Sequence, residues 1–134
     1  MGAWAEFLRH EHITDPADLG GVRRSLWAVE LPTTNYVHPS LPDDVLFGDE
    51  SSYPACQDEA RRLRAGGAER IEVRGAALLP GAASGWTANP VTATATTARD
   101  GLVWVLFGPS DVVAWIAADG AAPPAAVLPL VRHL

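Results

Sequence analysis

The apolar positions near the start of the chain repeat with the period of a helix. Three apolar side chains share one helical face: Trp4, Phe7 and Leu8. Glu6 and Arg9 lie three residues apart and share another face. This pattern predicts a helix over residues 2 to 12. We expect it to end before Pro16, because the residue that precedes a proline is displaced from helical geometry.

A second helix is predicted over residues 53 to 65 from signals at both of its ends. Ser52 can cap it, and Pro54 lies in its first turn. The pair Gly66-Gly67 follows its last residue. Acidic side chains lie early in the segment and arginines late, which suits the helix dipole. We expect its buried stripe to consist of Cys56, Ala60 and Leu63.

Segments rich in apolar and β-branched residues predict four strands, over residues 26 to 31, 71 to 73, 102 to 107 and 112 to 117. The run from Leu102 to Phe107 is continuously apolar, so we expect it to be covered on both faces. An aspartate at Val105 would then prevent folding. Residues 112 to 117 are interpreted as the hairpin partner of this strand across Gly108-Pro109.

The remaining segments predict little regular structure. Prolines and glycines around Val45-Leu46-Phe47 favour an irregular connection with one small strand. Residues 74 to 98 predict a long loop, and residues 119 to 134 form an alanine- and proline-rich tail that we expect along the surface. The 134 residues are therefore predicted to form a single α/β domain of the α+β kind, with a small mixed sheet flanked by helices.

Composition and charge exclude several classes of partner. The chain has 16 acidic and 10 basic side chains, and its formal charge of -6 disfavours binding to nucleic acid. A single cysteine and an N-terminus without a signal-peptide pattern favour the cytoplasm. The longest apolar run is far shorter than the roughly 20 residues of a membrane-spanning helix. His10 and His12 lie on different sides of the predicted helix, so no metal site is expected.

Three stretches of the chain follow a common order and spacing. They are GAWAEFLR at residues 2 to 9, the segment from YPACQ to AGGA at residues 53 to 68, and LVWVLFG at residues 102 to 108. Together they resemble the RES domain of some bacterial toxins, which is named after an arginine, a glutamate and a serine. The first stretch is similar to the helix that bears the family's glutamate, the second to the helix before its serine strand, and the third to its closing strand. The resemblance covers most of residues 2 to 108.

The resemblance implies a fold, a substrate and a partner. The fold would be ADP-ribosyltransferase-like and incomplete at its N-terminus, because the family's arginine and an early tyrosine lie upstream of the glutamate helix. The substrate would be NAD, whose nicotinamide–ribose bond is cleaved while the ADP-ribosyl group passes to water, phosphate or a protein. The partner would be a helix-turn-helix-type antitoxin within a toxin–antitoxin pair, and a homodimer remains open.

The resemblance also assigns roles to individual residues. The family's glutamate corresponds to Glu6, whose carboxylate would stabilise the positive charge that develops as nicotinamide leaves. Arg9, one turn later, would either pair with Glu6 or reach a phosphate of NAD. Gly75 occupies the position of the family's serine, and Ser84 is the nearest later hydroxyl. Arg74, beside Gly75, is expected to help hold a phosphate of NAD.

Two alternatives to an active enzyme remain open at this point. Because a glycine stands at the serine position, the chain could be a catalytically inactive RES-like module that keeps the fold for protein binding. The chain could also lack a natural N-terminal portion, in which case the intact protein would be active and this part alone would not. An arginine and a tyrosine encoded in frame upstream of Met1 would favour that view.

Overall fold

The computed structural model describes residues 1–82, 84–88, 91–108 and 112–134, and it has an α+β architecture. The α-helices are α1 (Gly2–His10), α2 (Asp43–Leu46) and α3 (Tyr53–Ala65). The strands are β1 (Arg24–Val29), β2 (Arg70–Arg74), β3 (Trp86–Ala88), β4 (Ala93–Ala95), β5 (Leu102–Leu106) and β6 (Ala114–Ala121). Short 3-10 helices cover Pro16–Gly21, Glu50–Ser52, Thr97–Arg99 and Ala125–Leu130. No helix in these described ranges is long and apolar enough to cross a membrane.

The two long helices lie close to their predicted positions. α3 begins and ends where the proline and the glycine pair predict, although Ser52 does not cap it, because its hydroxyl donates to the carbonyl of Asp49 at 2.7 Å. α1 ends two residues before the predicted boundary. His12 has a φ of 54°, a left-handed backbone conformation that cannot continue the helix. The helices were therefore predictable from local patterns.

Strand pairing differs from the sequence prediction. β5 pairs antiparallel with β2, so that Val103 lies opposite Val73. β6 pairs antiparallel with β1, and Ile116 lies opposite Trp27. The predicted hairpin between residues 102–107 and 112–117 is therefore wrong; Pro109 of its predicted turn lies outside the described residues. Turn signals act locally, whereas the choice of partner depends on which strand faces can be buried together.

The described strands form separate antiparallel pairs instead of the predicted small mixed sheet. A single parallel bridge joins Val37 to Ile71 beside the β2–β5 pair. Two other segments also differ from expectation. Residues 43–46 form a short helix where a small strand was predicted around Val45, and the predicted loop over 74–98 contains the hairpin β3–β4.

The hydrophobic core lies between α1 and the C-terminal segment. Its α1 members are Trp4, Ala5 and Leu8. Val127 and Leu128 of the last 3-10 helix are also buried, so the prediction of a surface tail is wrong. The tail is fixed by backbone pairing, because the Arg132 N–H donates to the Ala77 carbonyl at 2.8 Å. Apolar side chains within an alanine- and proline-rich segment thus complete the core.

β5 is less buried than its apolar sequence predicts. Val105 is 39% exposed, and the other residues of the strand are only partly covered. The predicted stripe of α3 is likewise only half-buried, whereas Glu59 on that helix is buried.

The Glu59 carboxylate accepts the Ser40 N–H at 2.8 Å and two bonds from Arg62 at 2.6 and 2.7 Å. These bonds lower the pKa of Glu59 to about 2, with Arg62 as the larger cause.

Candidate active site

A cavity of about 350 Å³ opens between α1, the end of β2 and the start of β5. Its walls are mostly apolar, and glycines at positions 75, 85 and 101 bring the backbone close to its surface. The side chains that could bind or react in it are Glu6, Ser84, Trp86, Arg99 and Trp104. The volume lies at the lower end of the range for small-molecule sites, so the cavity can hold a small ligand or part of a larger one.

Glu6 reaches this cavity because α1 turns its other face to the core. Trp4 and Leu8 anchor that buried face, which leaves Glu6 on the cavity side. Partial burial raises the pKa of Glu6, and the Ala77 N–H and the charge of Arg9 oppose this shift without cancelling it. The carboxyl group therefore keeps its proton to a higher pH than an ordinary glutamate.

Gly75 lies directly beside Glu6, although the two residues are far apart in the sequence. Its N–H donates to the carbonyl of Gly101 at 2.6 Å, which holds the end of β2 against the start of β5. A Cβ atom at position 75 would lie 3.4 Å from Oε1 of Glu6. The structure thus brings together the two positions that the RES resemblance assigns to the glutamate and the serine.

Ser84 lines the same cavity from a segment that is held in place by Gly85. The Gly85 N–H donates to Oδ1 of Asp100 at 2.5 Å, and its carbonyl accepts the Thr96 N–H at 2.8 Å. A Cβ atom on Gly85 would lie only 2.6 Å from the Thr96 carbonyl oxygen and would also meet the backbone of Arg99. Only glycine fits there, so the wall that carries Ser84 is fixed.

Sequence reasoning missed the arginine and the indoles of the cavity. The Arg99 guanidinium lies 5.3 Å from the centre of the Trp104 ring, whose N–H donates to Glu72 at 2.8 Å. No carboxylate of the described residues lies within ion-pair distance of Arg99. Trp86 is 56% exposed and lines the cavity as well. Arg99 and Trp86 do not belong to a periodic motif, so the sequence did not predict that they would lie in the same cavity as Glu6.

Arg9 lies outside the cavity and has a structural environment. It is buried, and its guanidinium donates to the carbonyls of Ala76 at 2.6 Å, Gly48 at 2.5 Å and Arg132 at 3.2 Å. The expected ion pair with Glu6 is not formed, because these three carbonyls occupy the guanidinium. Arg9 therefore joins three distant segments of the chain. It does not line the cavity that contains Gly75 and Ser84, but together with Glu6 it lines a separate cavity of about 480 Å³.

Arg74 lies beside the cavity and lines a neighbouring recess of about 220 Å³. Its guanidinium pairs with Asp43 and lies 4.7 Å from the centre of the Phe47 ring. The side chain is exposed at the end of β2. The sequence-predicted site residues thus divide into three that share the cavity, one that borders it and one that is buried elsewhere.

His10 and His12 do not form part of a metal-binding group among the described residues. His12 contacts the carboxylate of Glu50 at 3.3 Å, and both side chains are exposed. Among the residues that the structure describes, no group of three or more histidine, cysteine, aspartate or glutamate side chains is placed to hold a metal ion.

The cavity combines one carboxylate, two indoles and one guanidinium that forms no ion pair with the described residues, in mostly apolar surroundings. Such a set can hold a ligand that carries hydroxyl groups, an anionic group and an aromatic ring. The chain was compared with protein-family models, with curated proteins and with solved structures, and none of them matches it.

Proposed function

We propose that this chain is a RES-type domain that binds NAD in the Glu6 cavity and cleaves its nicotinamide–ribose bond. The observation that carries the proposal is the position of Gly75 directly beside Glu6 in a cavity that Ser84 also lines. The RES-like sequence pattern relates these positions to one catalytic centre. Their proximity within one cavity supports that relation.

The proposed reaction uses the charge of Glu6. The bond between the anomeric carbon and nicotinamide breaks, and its electron pair leaves with nicotinamide. Positive charge then develops on the ribose, and the ionised Glu6 stabilises it across a mostly apolar cavity where electrostatic interactions are strong. Water, phosphate or a protein nucleophile forms the new bond to the anomeric carbon and releases a proton. Trp86 would contact the aromatic nicotinamide, and Arg99 would donate hydrogen bonds to a polar group of the ligand.

The wider assignments belong to the same proposal. An ADP-ribosyltransferase-like arrangement would account for a carboxylate helix packed beside paired strands. A cytoplasmic toxin of this kind would be neutralised by a helix-turn-helix-type antitoxin. These assignments depend on the enzyme activity, so the activity is tested first.

The test is NAD loss measured with wild type, Glu6→Gln and a matched control, Glu11→Gln. Gln at position 6 keeps the volume of the side chain but removes the charge, so we expect NAD consumption to fall by about 100-fold or more. Glu11 follows α1 and is exposed outside the cavity, so its variant should keep the wild-type rate. Consumption that is unaffected by Glu6→Gln would contradict the assignment of Glu6.

A second candidate is the catalytically inactive interaction module. The observation that favours it is an exposed apolar face on the β1–β6 pair. Trp27 lies opposite Ile116, and these side chains are 58% and 50% exposed. Clustered exposed apolar side chains often mark protein-binding surfaces. If wild type neither binds nor consumes NAD, while Trp27→Ser weakens binding to a helix-turn-helix-type antitoxin, this second candidate replaces the enzyme.

A further inference from the structure

Two arginines surround one aromatic ring in the recess next to the cavity. The guanidinium of Arg74 lies 4.7 Å from the centre of the Phe47 ring, and that of Arg132 lies 4.9 Å from it. All three side chains line the recess, together with Gly81 and Asp100. The C-terminal segment supplies Arg132, so this pair of cations exists only because that segment packs against β2 and the Phe47 region.

The two arginines differ in their partners. Arg74 pairs with Asp43, whereas Arg132 forms no ion pair within the described ranges of the chain. The Nε atom of Arg132 is buried and has no hydrogen-bond partner among the described residues. Asp100 also lines the recess, and its Oδ1 accepts the Gly85 N–H. Because Asp43 already pairs with Arg74, Arg132 is the cation of the recess for which the described residues provide no ion pair.

The recess adjoins the Glu6 cavity. Gly75, Leu78 and Gly101 line both of them, so the two spaces meet at small and apolar residues. An elongated ligand that passes over the glycines at this boundary would reach both spaces. Its anionic part would lie by the arginines, and its hydroxyl-bearing part would lie by Glu6.

We propose that the recess binds the diphosphate of a nucleotide whose terminal ribose lies at Glu6. The inference rests on the proposed function, since it takes NAD or ADP-ribose as the ligand. Guanidinium groups bind phosphate oxygens through paired hydrogen bonds. Two guanidinium groups can bind the two phosphates of a diphosphate, whereas a carboxylate offers oxygens for only one of these guanidinium groups. Arg132 is the main contact, because its charge is not already paired.

The test is calorimetric binding of inorganic pyrophosphate and of ADP-ribose at low salt, where screening is weak. We expect Arg132→Ala to weaken binding of both ligands by about 10- to 100-fold. Arg64→Ala is the matched control. Its guanidinium lies 5.7 Å from the Phe107 ring, outside the recess, so its removal tests the loss of a similar cation at another site. Its affinities should stay within about twofold of wild type.

A folded Arg132→Ala protein with unchanged pyrophosphate affinity would overturn the inference. Should that variant unfold, Arg132→Lys keeps the charge but removes the paired hydrogen bonds, and unchanged affinity in it would overturn the inference equally. ADP-ribose binding no tighter than pyrophosphate would remove the nucleotide from the proposal. Failure of the proposed function would give a different result. Pyrophosphate binding would still depend on Arg132, but the wild-type protein would not consume NAD. NAD consumption that is insensitive to Arg132→Ala would instead retain the function and remove the diphosphate site.

Discussion

Gly75 faces the carboxylate of Glu6, and a Cβ atom on it would lie 3.4 Å from the Oε1 atom. The same Cβ would lie 3.1 Å from Cγ2 of Val103, so that side chain would have to shift by a few tenths of an ångström. The φ angle of Gly75 does not require glycine, because Gly75 is not among the described residues with a positive φ. A small side chain is therefore compatible with this position.

We predict that Gly75→Ser increases NAD consumption, because it places a hydroxyl next to Glu6, where the proposed RES-type reaction would use a serine. Gly75→Ala meets the same contact with Val103 but adds no hydroxyl, so it should leave consumption at the wild-type level. Both variants should lose about 1 kcal/mol of stability from the tight contact. The checks are an NAD-loss assay and urea unfolding; equal activities of Ser and Ala would count against a role for the hydroxyl.

Glu6 should make the stability of the protein depend on pH. Its pKa is raised above 4.5 in the folded protein, mainly because burial disfavours the charged form. The folded protein therefore holds this proton more tightly than the unfolded chain, and stability falls as the pH rises through the folded pKa. Glu6→Gln cannot ionise, so it should become more stable relative to wild type as the pH rises from below 4.5 through the raised pKa of Glu6. Urea unfolding across this range measures the difference, and a constant or opposite trend would contradict the burial of Glu6.

Arg9 should matter more for stability than for ligand binding. Arg9→Met keeps much of the apolar stem but leaves the carbonyls of Ala76, Gly48 and Arg132 without their donor. We expect the free energy of unfolding to fall by about 3 kcal/mol. The exposed Arg64→Met is a suitable control and should change stability by less than about 1 kcal/mol. A stable Arg9→Met protein that no longer binds NAD would instead favour the phosphate role.

α1 and β5 differ in burial, so apolar-to-smaller substitutions in the two elements should change stability by different amounts. Leu8 is fully buried, and Leu8→Ala should cost about 2 to 5 kcal/mol. Val105 is 39% exposed, so Val105→Ala should cost less than about 1 kcal/mol, and Val105→Asp should still fold, because its carboxylate can meet water. Thermal unfolding followed by circular dichroism compares the three variants. An unfolded Val105→Asp protein would show that the strand is covered more completely than in this structure.

The elements that could be predicted from the sequence are those whose signals lie within one or two helical turns. The bounds of α3 follow from Pro54 and the Gly66-Gly67 pair, since both act through local backbone geometry. The buried face of α1 follows from the spacing of Trp4 and Leu8, and this face also places Glu6 on the opposite side. Local patterns therefore predicted the helix that carries the candidate catalytic carboxylate.

The contacts between distant segments depend on long-range packing and could not be predicted from the sequence. β5 pairs with β2 and not with the following strand, because strand pairing depends on faces that are buried together and not on the nearest turn. Arg9 was assigned to a ligand from its position on α1, but it is buried where three segments leave carbonyls without donors. Arg99 and Arg132 reach the candidate site from segments without a periodic pattern. Their proximity to Glu6 and Phe47 arises from long-range packing, which no local spacing in the sequence encodes.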